Sequence, residues 1–128
     1  MQKFSSDLQK VDLASDLESV LTQNKTAIIA AVENGHAIDN NLNNLEELRL
    51  LGSRYMTLTH SKNLDWAASS GESECSFEGL TIFGENVIAA MNGLGKIIDV
   101  SHVHESTFWA VIEKICSQNF IRVLKANE

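Results

Sequence analysis

Glu33, His60 and His102 are the residues of this sequence whose types and placement could do chemistry. Each closes a short apolar run or stands just beyond one: "TAIIAAVE" ends on Glu33, "RYMTLTH" on His60 and "KIIDVSH" on His102. A carboxylate and two imidazoles converging on one face form a metal-site constellation, because these are the oxygen and nitrogen donors that zinc and similar cations take. Helix-capping and core roles fit the same residues, so spacing alone leaves the choice open.

The elements that must position them alternate in type. Ser6 to Gln9 and Ser15 to Glu18 both read as capping boxes, and Leu13, Leu17, Val20 and Leu21 keep a helical spacing. Residues 26–33 read as one buried strand ending in the turn Asn34-Gly35. Asn40 and Asn41 can cap a helix with Leu42, Leu45, Leu48 and Leu51 on one side and Gly52 as its stop. Residues 54–60 give a second strand. A polar stretch, 61–79, follows, and loops this long are usually functional or disordered.

Gly84 opens the next helix, with Val87, Ile88, Met91 and Leu94 on its face and Gly95 at its end. Residues 96–102 are the third strand. Phe108, Val111, Ile112 and Ile115 make the last helix amphipathic, and "FIRVL" (120–124) reads as a fourth strand. The order α-β-α-β-α-β-α-(β) is that of an α/β protein with right-handed crossovers and a parallel sheet of three to four strands. In such folds the working residues sit just past the C-terminal ends of strands, where Glu33, His60 and His102 stand.

Composition narrows the partners. The formal charge is −7 and no Lys/Arg cluster occurs, so nucleic acid and anionic membranes are poor partners. No apolar stretch reaches the roughly 18 residues of a spanning helix. "MQKFSSDLQK" has no apolar signal-peptide core, so a cytoplasmic product is expected. Cys75 and Cys116 belong to no CxxC and read as free thiols. Proline is absent, where average usage would place roughly six; chance or an incomplete domain would each explain it.

Three stretches carry more than spacing: "AVENGHAI" (31–38), "LGSRYMTLTHSKNLDWAASS" (51–70) and "GLTIFGENVIAAMNGLGKIIDVSHVHESTFWAVIE" (79–113). In this order they resemble the membrane dipeptidase family of zinc peptidases, also called renal dipeptidases. The likeness runs from about residue 14 to about 117, and residues 118–128 diverge. The resemblance implies a (β/α)₈ barrel with a two-zinc centre that hydrolyses dipeptides. It implies that Glu33 bridges the zincs, that His102 binds the second zinc, and that His60 contacts substrate near the scissile bond. A carboxylate can bridge two cations, two zincs can lower the pKa of a shared water, and a neutral histidine can donate to a developing oxyanion.

The departures limit the expectation. The family carries a His-x-Asp motif on its first strand, and residues 1–30 contain no histidine. It carries a second histidine on the strand after "IDVSH", where "NFIRVLKANE" has none. A barrel takes about 250 residues, so the 128-residue chain is expected to be one partial barrel segment, inactive by itself. The alternative is a non-catalytic assembly module that self-associates or docks with the rest of a barrel, since open strand edges expect neighbours. Asp65 and Trp66 lie in the long loop, near where the resemblance puts the substrate cleft, so substrate contact and loop anchoring are both open to them. His36 is expected to be a loop histidine with local hydrogen bonds, His104 a solvated residue at a helix start, and Trp109 a packing residue.

Overall fold

The computed structural model describes the backbone of residues 6–125 and side chains as far as Cys116. Strand β1 (Leu8–Lys10) is followed by helix α1 (Ala14–Thr22), strands β2 (Thr26–Ile28) and β3 (Ala31–Glu33), and one 3₁₀ turn at Gly35–Ile38. Helix α2 (Leu42–Leu50), strand β4 (Tyr55–Thr57), helix α3 (Ile82–Gly93), strand β5 (Ile97–Asp99) and helix α4 (Glu105–Lys125) complete the order.

The central sheet is parallel, in the order β3-β4-β5. Its register aligns Glu33 with Thr57, and Thr57 with Asp99. Residues level with one another on parallel strands share a face, so these three form a row. Met56 and Leu58 alternate to the other face and are fully buried against Leu45 of α2, Val87, Ile88 and Met91 of α3, and Val111 of α4. One face of the sheet is thus spent on the core, and the other carries the polar row.

Several sequence expectations are corrected. Ser6 to Gln9 cap no helix, because this segment pairs in parallel with β2 through Thr26 N–H to Asp7 O (2.7 Å) and Val11 N–H to Ile28 O (2.9 Å). Tertiary pairing overrides the local cap signal here. Helix α1 begins before Ser15, because the Asp16 carboxylate accepts from the N–H groups of Leu13 (2.8 Å) and Asp12 (3.0 Å). The run 26–33 is two strands, β2 on the β1 ladder and β3 on the β4 ladder, separated by Ile29 and Ala30.

Asn41 caps α2, accepting from Asn43 N–H at 3.0 Å, but Leu51 is 81% exposed and leaves the apolar side. Thr81, not Gly84, caps α3, its hydroxyl accepting from Gly84 N–H at 3.3 Å. "FIRVL" is no strand: residues 121–124 continue α4, and the stretch 116–125 holds no proline or glycine to stop a helix. The segment "NFIRVL" is therefore not the strand that follows "IDVSH". Trp109 is 60% exposed; it meets Phe108 edge-on and reaches Glu105 rather than entering the core.

Candidate metal centre

β3 ends on Glu33, so the carboxylate leaves the sheet at its C-terminal edge. β4 ends at Thr57, and the chain continues through Leu58, whose N–H still donates to Asp99 O (3.1 Å), to bring His60 over the same edge. β5 ends at Asp99, and a turn follows in which Asp99 Oδ1 accepts from Ser101 N–H (2.9 Å) and Ser101 Oγ (2.7 Å). That turn delivers His102 with φ of 63°, in the left-handed region. His102 thus stands on a turn beyond the strand rather than at its last position.

The three side chains converge. His60 Nε2 lies 3.5 Å from Glu33 Oε1. The His60 and His102 rings are 4.7 Å apart between centroids, tilted by 52°. One donor atom from each of Glu33, His60 and His102 lies within 4.8 Å of the others, and among the described residues no other group of three such side chains does this. The site is open: the side chains of Glu33 and His60 are 69% and 44% exposed.

This donor set fits a metal ion. Two imidazoles and a carboxylate are zinc-type ligands, and three protein donors with a free position is the catalytic arrangement. Tetrahedral zinc sets its donors about 3.4 Å apart. The Glu33–His60 edge is already near that value, and rotation of exposed side chains closes the remainder. Ser61 Oγ meets His60 Nδ1 at 2.8 Å. When Ser61 donates in that contact, neutral His60 carries its proton on Nε2, facing Glu33. In that tautomer His60 is set to donate into the site; ligation through Nε2 takes the other tautomer, in which Nδ1 donates to Ser61 Oγ.

Polar residues that the sequence reading did not single out frame the three. Asp99 Oδ2 accepts from Thr57 Oγ1 at 2.7 Å. Burial would raise the Asp99 carboxyl, but hydrogen bonds from Ser101 and Thr57, with His102 nearby, outweigh it and hold the pKa below 3.8. Thr59, fully buried, donates through Oγ1 to the His102 carbonyl at 2.9 Å. The alternation of threonines in "MTLTH" was the available signal, since it puts Thr57 and Thr59 on one face.

The long loop is held by bridges at its middle, from Ala67 and Ser69. It bridges to the chain before α3 at Ala67–Leu80 and to the chain after His102 at Ser69–Val103. Trp66 is 1% exposed and packs edge-on to Phe83, so it anchors the loop in the core instead of lining an open cleft. Asp65 accepts from Asn40 Nδ2 at 2.9 Å, beside a polar hollow of about 90 Å³ shared with His36, Asp39 and Asn63. It is not one of the three converging side chains. His36 makes local bonds, both its N–H and Nδ1 meeting Asn34 Oδ1 at 3.1 Å. His104 is exposed before α4, and its Nδ1 accepts from Ser106 N–H at 3.2 Å.

Known proteins resemble this chain in sequence and in fold. The profile of the membrane dipeptidase family (peptidase family M19) matches residues 1–119. Dipeptidase 3 of Homo sapiens is 32% identical over 117 residues, covering 88% of this chain and 24% of that protein. The chain therefore spans about a quarter of the length of that relative. An amidohydrolase from Pseudomonas aeruginosa superposes with a TM-score of 0.81 at 26% identity, over 88% of this chain and 34% of its own. A metallopeptidase from Rhodobacter sphaeroides, solved with a phosphinate mimic of the dipeptide L-Ala-D-Ala, superposes at 0.72 with 25% identity, over 81% of this chain and 31% of its own. The parallel strands and their helices are a partial (β/α)₈ barrel, and the chain belongs to the membrane dipeptidase family of metallopeptidases.

Proposed function

We propose that this chain is a segment of a zinc-dependent dipeptidase, in which Glu33 bridges two zinc ions, His102 binds the second, and His60 contacts the dipeptide at its scissile bond. The observation that carries the reading is the convergence of one carboxylate and two imidazoles at the C-terminal edge of a parallel sheet. Family membership and the dipeptide mimic bound by the Rhodobacter relative support the substrate class.

Zinc, when bound, polarises a peptide carbonyl and lowers the pKa of water. The chain's own residues supply the frame. Glu33 offers two oxygens from the end of a hydrogen-bonded strand, as bridging two cations requires. His102 is fixed by its carbonyl, and His60 presents Nε2 toward the shared space. A proton held there stabilises negative charge growing on a substrate oxygen. With His60 turned to the substrate, Glu33 and His102 are two metal donors, whereas two tetrahedral ions need three or four donors each. The isolated 128-residue chain is therefore inactive toward dipeptides in this reading.

Zinc retained per chain after exhaustive dialysis tests the proposal. About one zinc in the wild-type chain, lost in both Glu33→Ala and His102→Ala, supports the centre. No retained zinc removes it from the isolated chain. Metal-dependent dipeptide hydrolysis by the pure chain would overturn the inference of inactivity.

A second reading is a non-catalytic assembly module, favoured by one observation. The central sheet has β3 and β5 as its edges, and an apolar cavity of about 230 Å³ beside it is lined by Leu13, Leu17, Ile29 and Ile97, all exposed. Such a surface fits a second copy or the remainder of a barrel. Light scattering that reports a compact, non-aggregating monomer counts against it.

A further inference from the structure

The Ser69 hydroxyl is completely buried and stands between two carbonyl oxygens. It donates to the carbonyl of His60 and lies 3.3 Å from the carbonyl of His102. Its oxygen accepts from Gly71 N–H at 3.1 Å, and its own N–H donates to Asn63 Oδ1 at 2.7 Å. The side chain is therefore held from both sides. Ser70 N–H donates to the same His102 carbonyl at 2.9 Å, and Thr59 Oγ1 also donates to it at 2.9 Å. The loop thus returns to tie together two turns that are far apart in sequence. His102 needs that tie, because a left-handed backbone is disfavoured for any residue with a Cβ.

We propose that Ser69 is a positioning residue of the metal centre: its buried hydroxyl, set between the His60 and His102 carbonyls, fixes the separation of the two imidazoles. The inference rests on the metal-centre reading above. Ser69 touches neither imidazole and acts through the backbone. Without the hydroxyl, Thr59 and Ser70 still hold the His102 carbonyl, but the His60 carbonyl loses its tie to the loop, so the His60 ring shifts relative to the His102 ring and the donors lose their common focus.

Thr107 supplies the control. Its hydroxyl donates to Gly79 O (2.9 Å), lies 3.1 Å from Ala68 O and accepts from Ala68 N–H (3.0 Å), anchoring the same loop without contacting either histidine. Two readouts on the full chain separate positioning from stability. The first, on metal-free protein, is the nuclear Overhauser effect between the ring protons of His60 and His102. The second is the dissociation constant for zinc. In Ser69→Ala the ring contact weakens, and zinc affinity falls about 10- to 100-fold, the usual consequence of removing an outer-shell partner. In Thr107→Val both readouts stay at wild-type values. A wild-type ring contact in Ser69→Ala, or equal losses in Thr107→Val, overturns the proposal. If the wild-type chain binds no zinc, the metal-centre reading fails and the ring contact alone decides this one. If Ser69→Ala does not fold, Ser69→Cys keeps the size and weakens the donor; an unchanged ring contact there overturns the proposal, and a reduced one supports it.

Discussion

The Thr57 hydroxyl donates to the Asp99 carboxylate across 2.7 Å, from one strand of the central sheet to the next. Glu33 is level with both, so the bond braces the row from which the candidate ligands emerge. Asp99 titrates below its ordinary 3.8 in the fold, because its hydrogen bonds outweigh its burial. A depressed carboxyl contributes stability above the unfolded value and loses it as pH falls through the folded one. Thr57→Val is therefore expected to cost about 1–3 kcal/mol at neutral pH. The cost shrinks well below pH 3.8, where the carboxyl is protonated in both variants. Urea unfolding at the two pH values checks this. Equal losses at both would mean that the carboxylate does not draw on the bond.

Glu33, His60 and His102 could be found in the sequence because each interrupts or follows an apolar run, and a parallel strand makes that position meaningful. Asp99 was visible in "IIDVSH" but had no evident partner until the register placed Thr57 beside it. Ser69 was hidden for a physical reason. It lies in a polar loop with no period, and its role comes from two carbonyls brought together only by the fold. Trp66 shows the same limit, since a loop tryptophan suits either a cleft or a core. The boundary errors at Ser6 to Gln9 and at "FIRVL" share a cause: strand pairing and helix propagation overrode short local signals.

Gly35 tests how tightly the core supports the site. A Cβ at Gly35 would fall 2.5 Å from Trp66 Cζ2 and 2.7 Å from Leu58 O. Both neighbours are held, Trp66 in the core and Leu58 in the β4 extension, where Leu58 O also accepts from Gly35 N–H at 3.0 Å. Gly35→Ala is expected to destabilise by about 1–3 kcal/mol through overpacking. Because Glu33 lies just before Gly35, zinc retention should fall with it. Unfolding monitored by tryptophan fluorescence, with zinc content on the same samples, checks both. Wild-type stability would mean that Trp66 moves aside freely.

Lys96 makes a prediction about alkaline pH. It is buried before β5, and its ammonium donates to Ser53 O at 3.2 Å and Ser53 Oγ at 2.9 Å. Removal from water, with Arg49 and Arg54 adding repulsion, brings its pKa from 10.5 to about 8. The unfolded chain then binds more protons than the folded chain between about 8 and 10.5, so this group makes stability rise with pH across that window. Below it, the full penalty of the buried charge is present. Lys96→Met should lose that rise while keeping the contributions of all other groups. Denaturant titrations on either side of the window, compared between the two proteins, measure the difference. Identical pH dependence would place the Lys96 ammonium in water.

His102 combines two demands, a ligand nitrogen and a left-handed backbone with φ of 63°, and two substitutions separate them. His102→Ala removes the imidazole and keeps the backbone cost. His102→Gly removes the imidazole and relieves that cost, because glycine enters the left-handed region without a Cβ clash. His102→Gly should therefore be more stable than His102→Ala by about 1 kcal/mol. Both should lose the rise in melting temperature that zinc gives the wild-type chain, since stabilisation by a ligand needs its binding site in the folded state. Thermal unfolding of the three proteins with and without zinc checks the two parts together. A zinc-induced shift that survives in either variant would show that the ion is held without His102. Equal stability of the two variants would show that the turn abandons its left-handed geometry once the imidazole is gone.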